Sequence, residues 1–153
     1  MTRPERIASA LCGAMIASVL VSAACVAAPA PGKTLYQRLG GYDVIAAVTD
    51  GLIGRVVANP QLAPFFAGHS TDSSIKTRQQ IVTKLCEMTG GPCFYSGRDM
   101  KTAHAGMGIS RADWDDLMKL LGATLDEMKV AATEKDDLLA LLSKSRDEVV
   151  EKK

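Results

Sequence analysis

Residues 90–109, GGPCFYSGRDMKTAHAGMGI, constrain this chain more than any other stretch. Gly90-Gly91-Pro92 ends whatever helix precedes it, because a helix seldom continues through two glycines and a proline. Gly106 and Gly108 loosen the other end, and Ser110 opens a new helical run. Between these breaks stands His104, one of two histidines in the chain. A histidine on a short, glycine-flanked segment between helices is well placed to offer a ring nitrogen to something held in a pocket. The alternative is a histidine that simply packs in the core or sits in solvent.

The flanking runs read as helices. Val44, Ile45, Val48, Leu52, Ile53 and Val56 recur at helical spacing after Asp43, which predicts a helix capped by Asp43 and stopped by Asn59-Pro60. Thr34 predicts the cap of a short LYQRL helix closed by Gly40-Gly41. A third long helix is predicted from about residue 73 to residue 89, with Ile75, Ile81, Val82, Leu85 and Met88 inward. A short helix is predicted around residues 100–104. Ser110 with Asp113 reads as a capping box for a run lined by Trp114, Leu117, Met118, Leu121, Leu125 and Met128. Thr133 with Asp136 predicts the start of the last helix, carrying Leu138, Leu139, Leu141, Leu142 and Val149. No run alternates with period two, and aromatics are only 5% of the chain. The fold class is therefore all-α. Asp115-Asp116 and Asp136-Asp137 read as solvated helix faces.

The N-terminus reads as an export signal. Arg3 and Arg6 precede an uncharged, apolar run from residue 7 to 28 that ends in small residues. We divide the chain into a signal peptide at 1–28, a linker at 29–33 and one domain at 34–153. A retained membrane anchor, or a lipoprotein site at Cys25, are the alternative readings. Export implies a periplasmic location, with membrane association only if the segment is retained or lipidated. Losing Arg3, Arg6 and Glu5 from 18 basic and 17 acidic residues leaves a neutral domain. Neutrality removes the electrostatic case for nucleic acid. Of four cysteines, Cys86 and Cys93 remain, and an oxidising compartment favours a disulfide between them across the Gly90-Gly91-Pro92 reversal. Two buried free thiols are the alternative.

Several pieces, in order, resemble one family. TLYQRLGG, NPQLAPFF, GGP, YSGRDM and HAGMGI together make the chain from Thr34 to about Val149 similar to a truncated haemoglobin, the two-over-two helical globin, most like its group I. The resemblance implies a b-type haem with His104 as the proximal iron ligand, a role that neutral imidazole commonly takes. It places Phe66 on the haem face and Tyr95 and Met100 near the haem edge. Arg98 becomes a candidate partner for a haem propionate.

The chain departs from the family on the ligand side. Where group I usually has a tyrosine on the second helix, the matching residue is Ile53. Thr77, Gln80, Ile81 and Leu85 occupy the matching ligand-side helix, with Ile81 where a glutamine often sits. A donor in a dry pocket contributes about 1–3 kcal/mol. Its loss implies fast dioxygen release and easy autoxidation, with carbon monoxide and nitric oxide less affected. The loop after Phe66 reads as residues 67–74, longer than usual, and carries His69, which would give six-coordinate haem if it folded inward.

The leading expectation is an exported haem protein that binds a diatomic gas. Nitric-oxide dioxygenation is the enzymatic extension, and it requires a reductase that the sequence does not name. A six-coordinate electron-transfer protein and a haem-free helical interaction module are the alternatives. No Cys-x-x-Cys-His run attaches haem as in c-type cytochromes.

Overall fold

The computed structural model describes residues 32–152. The signal read at 1–28 and residues 29–31 of the linker lie outside them. The described chain is helical, and among these residues the only β-type pairing is an isolated parallel bridge between Ser110 and Lys152.

Helix α1, Leu35–Leu39, starts at the capping box of Thr34 and Gln37 and ends at Gly40, whose φ of 106° suits a residue without Cβ. Helix α2, Tyr42–Ala58, begins two residues earlier than the sequence pattern suggested. Its N-cap is Gly41, not Asp43, and Asp43 instead lies in the first turn, where its charge complements the helix dipole. Asn59 ends α2 and turns the chain, its side-chain oxygen accepting from the Gln61 and Leu62 amides. A 3-10 turn, Ala63–Phe66, follows. Helix α3, Thr71–Met88, starts at the Ser70 cap. The preceding loop is therefore residues 67–70, shorter than the sequence reading, because the Ser70 hydroxyl captures the Ser73 amide. Helix α4 is Met100–His104, and α5 is Arg111–Glu127 with the Ser110/Asp113 capping box in place. Helix α6 is Ala132–Ser143, and α7 is Arg146–Val149.

The last run thus differs from its sequence reading in two ways. Its N-cap is Ala131 rather than Thr133. Glu134 and Asp137, three residues apart on the first turns of the helix, both pair with Arg38 of α1. Asp137 is consequently an ion-pair partner and not simply a solvated charge. The run also breaks after Ser143, because Leu142 and Val149 belong to different parts of the core.

That core has three parts. Leu39, Val48, Leu121, Leu125 and Leu138 join α1, α2, α5 and α6. Ile45, Val82, Leu85 and Cys86 join α2 to α3. Ile109, Trp114 and Val149 gather α5 and α7, with Phe65, Met100, Met118 and Val150 packed around them. Helix α2 is common to the first two. It approaches α5 closely at Gly51, where a Cβ would lie 2.9 Å from a Thr124 methyl. The buried hydroxyls of Thr49 and Thr124 return to the Ile45 and Leu120 carbonyls, both at 2.8 Å, so this crossing leaves no polar group unpaired. Ile75, read as inward, is 60% exposed, standing in the first turns of α3 outside the core clusters, whose α3 members begin at Ile81.

The sequence pairing of the cysteines is realised. Cys86, fully buried at the end of α3, is bonded to Cys93, with Cα atoms 5.8 Å apart.

Leu125 and Ile75 give opposite expectations for truncation. Leu125→Ala should lower the unfolding free energy by about 2–5 kcal/mol. Ile75→Ala should change it by less than about 0.5 kcal/mol. Urea denaturation of both variants checks this.

Candidate functional site

Residues 90–109 form a strap that leaves α3, crosses the molecule and enters α5. Its first part is locked onto the end of α3. Gly90 adopts φ +82°, and Gly91 donates to the Cys86 carbonyl at 2.8 Å. A Cβ on Gly91 would lie 2.5 Å from the Tyr36 ring and 2.7 Å from the Cys86 sulfur, so only glycine fits there. The Cys86–Cys93 bond follows. The Tyr95 amide then donates to Glu87 of α3 at 3.1 Å, and Lys84 lies 4.8 Å over the Tyr95 ring. The Tyr95 hydroxyl donates to the Arg98 carbonyl at 2.8 Å, while the Arg98 side chain is exposed. Tyr95 and Arg98 therefore shape the strap before α4.

Helix α4 opens at Asp99, whose carboxylate accepts from the Thr102 amide at 2.9 Å. One turn later the His104 Nδ1 lies 2.7 Å from the Met100 carbonyl oxygen. A carbonyl only accepts, so Nδ1 carries the proton. In the neutral ring, Nε2 is then left with a free lone pair. Met100 contributes twice: its carbonyl orients the imidazole, and its side chain packs against the Ile109, Trp114 and Val149 cluster.

After His104 the chain is held from a distance. The Gly106 and Gly108 amides donate to the two carboxylate oxygens of Glu151, at 2.7 and 2.5 Å. The Glu151 and Lys152 amides donate back to the Ile109 carbonyl at 2.9 and 3.1 Å. Ser110 and Gln61 converge on the buried Asp113 carboxylate, which ties the turn after α2 to the start of α5. Glu151, Asp113 and Gln61 were not singled out as functional in the sequence. Asp113 had a local signal in its capping box; Glu151 had none.

The residues read as the ligand side stand on α2 and α3. Arg78 holds Asp50 through two hydrogen bonds of 2.6 and 2.7 Å, and Gln79 donates to the Tyr42 hydroxyl at 2.8 Å. These contacts fix the register of α3 on α2. Thr77 and Ile81, one turn apart, are half-buried, as is Ile53. Ile81 packs against the α2–α3 core cluster. Gln80 and His69 are exposed, His69 standing just before the Ser70 cap. Phe65 joins the Trp114 cluster, whereas Phe66 is half-buried and belongs to none of the three clusters.

Among the described residues no group of three or more His, Cys, Asp or Glu side chains could hold a bare metal ion. A single imidazole with a free Nε2 suits a metal whose other ligands arrive with it. Haem iron is such a metal, with four nitrogens from the macrocycle and an axial histidine. The donor set fits.

A family model described as bacterial-like globin matches residues 34–151. The chain belongs to that family. It is 36% identical over 112 residues to a group 1 truncated haemoglobin from Nostoc sp. (strain MUN 8820), covering 73% of this chain and 90% of that one. It is 28% identical to the group 1 truncated haemoglobin of Tetrahymena pyriformis over 120 residues, or 78% and 97% of the two chains. The crystal structure of the Tetrahymena pyriformis protein in its Fe(III) form superposes with a TM-score of 0.72, covering 78% of this chain and all of that one. The fold is thus the two-over-two arrangement of truncated haemoglobins, and this globin belongs to a family of haem proteins that bind diatomic gases.

Several carboxylates of the site are held below the usual range in this globin. The Ser110 hydroxyl and the Gln61 amide lower Asp113, the Tyr95 amide and Lys84 lower Glu87, and the Thr102 amide lowers Asp99. The Gly106 and Gly108 amides lower Glu151. A depressed carboxylate contributes stability that is complete above its unfolded value and is lost as pH falls through its folded value. The urea midpoint should therefore fall as pH drops below about 4. Asp113→Ala should cost about 1–3 kcal/mol at pH 7. Its cost should shrink as pH falls through the depressed folded value of Asp113, where the parent loses the same charge.

Proposed function

We propose that this globin binds b-type haem through Nε2 of His104 and takes a diatomic gas on the opposite side, between Ile53, Thr77 and Ile81. The observation that carries the reading is the hydrogen bond from His104 Nδ1 to the Met100 carbonyl, which leaves Nε2 as the ligating nitrogen. Haem iron supplies the coordination position that the gas occupies. Phe66, outside the three core clusters, has a ring free to pack on the haem face. Met100 and Tyr95 border the haem edge, and the exposed Arg98 guanidinium is free to pair with a propionate.

The gas side carries the specificity. Ile53 and Ile81 have no N–H or O–H in their side chains, so Thr77 is the one donor among the three. Dioxygen depends on such a donor more than carbon monoxide does. This globin should release dioxygen quickly and suits nitric oxide or carbon monoxide better. Nitric-oxide dioxygenation would require a separate reductase. Export to the periplasm is supported by the charged start and apolar run of residues 1–28 and by the Cys86–Cys93 disulfide.

Haemin added to the chain should give a Soret band that His104→Ala weakens or shifts. Absence of any Soret change in the parent chain would sink the reading. In the ferrous protein, Ile53→Tyr should slow dioxygen release by about 5- to 150-fold, the range equivalent to about 1–3 kcal/mol. Carbon monoxide release should change much less. Stopped-flow spectroscopy measures both rates.

A further inference from the structure

We propose that Glu151 is a positioning residue for the iron-binding histidine, a two-pronged clamp that holds the backbone just beyond His104 and so fixes the imidazole. The inference rests on the haem reading above.

Helix α4 is five residues long and stops at once. Its C-cap, Ala105, is already extended at φ −59° and ψ 129°. Gly106 and Gly108 follow with φ of +80° and +67°, conformations that carry no helical hydrogen-bond ladder. Left alone, such a segment would wander among many backbone states. In this chain the Gly106 and Gly108 amides converge on one carboxylate, one amide to each oxygen. Hydrogen bonds of this charge-assisted kind are about twice as strong as neutral ones.

The clamp is itself anchored. The Glu151 amide donates to the Ile109 carbonyl, as does that of Lys152. Val149 and Val150 seat the preceding residues in the cluster that holds Met100. One cluster thus supports both sides of the histidine: Met100, whose carbonyl accepts the hydrogen bond from Nδ1–H, and Glu151, which holds the amides two and four residues further on. The hydrogen bonds of the Glu151 carboxylate go to the chain beyond His104 and not to the ring, so it positions the imidazole through the backbone.

The test uses the full chain loaded with haemin, as the parent and as Glu151→Ala, Glu151→Gln and Lys135→Ala. Lys135 pairs with Asp126 elsewhere on the molecule and serves as the control. Three properties are measured: the rate of haem loss to excess apomyoglobin, the iron–histidine stretching band of the ferrous protein by resonance Raman, and amide exchange of Gly106 and Gly108 by NMR. Glu151→Ala should lose haem about tenfold faster, the usual scale for removing a group that orients a metal ligand. Its iron–histidine band should shift or broaden and both glycine amides should exchange faster, with helical circular dichroism unchanged. Glu151→Gln keeps one acceptor oxygen and should fall between Glu151→Ala and the parent, while Lys135→Ala should match the parent. A Glu151→Ala protein with the parent's haem retention and iron–histidine band would overturn the clamp and leave the haem reading intact. A parent chain that takes up no haemin would overturn both.

Discussion

A helix of five residues cannot hold itself. Forming its first turn fixes several backbone dihedrals for a single hydrogen bond, and isolated helices this short do not persist in water. Yet His104 sits at the end of such a helix, and its usefulness depends on where its Nε2 points. The surrounding structure answers this constraint. Before α4, the strap is fastened to α3 by Gly91, the Cys86–Cys93 bond and the Tyr95–Glu87 contact. After α4, it is fastened to the C-terminal segment by Glu151 and Ile109. Below it, Ile109, Trp114 and Val149 form an apolar floor. The long helices then act as the frame on which these fastenings are mounted, with α2 packed on both α3 and α5.

The opposite side is ordered on a different basis. Arg78 with Asp50, and Gln79 with Tyr42, set the register between α3 and α2 from the outer surface. Ile53 and Ile81 stand half-buried on these two helices, with Ile81 packed against the cluster that joins them. Of the polar groups of α3, Arg78 and Gln79 reach across to α2.

Much of this was legible in the chain because its causes are local. The Thr34/Gln37 and Ser110/Asp113 boxes are patterns of four residues, and both form. The reversal at Gly90-Gly91 follows from glycine and proline chemistry, and the cysteine pair follows from a separation of seven residues. His104 stood out because it lies on a short segment set off by glycine breaks between two helical runs. What was not legible was set by partners far along the chain. The start of α6 depends on Arg38, almost a hundred residues away, and the break before α7 depends on two core clusters that claim Leu142 and Val149 separately. Ile75 fits an inward stripe by period alone, but it lies exposed and belongs to none of the core clusters. Glu151 is one more glutamate in a charged tail until the fold carries it 43 to 45 residues back to Gly108 and Gly106.

The short separation of Cys86 and Cys93 has a consequence for how the protein matures. Ends this close meet on the timescale of a loop closing in an unfolded chain, tens of nanoseconds for about ten residues. From Thr34 onward these are the two cysteines present, so only one pairing exists and none needs reshuffling. Oxidation can therefore precede both folding and cofactor loading. The covalent brace on the histidine strap needs no cofactor to bring its two sulfurs together.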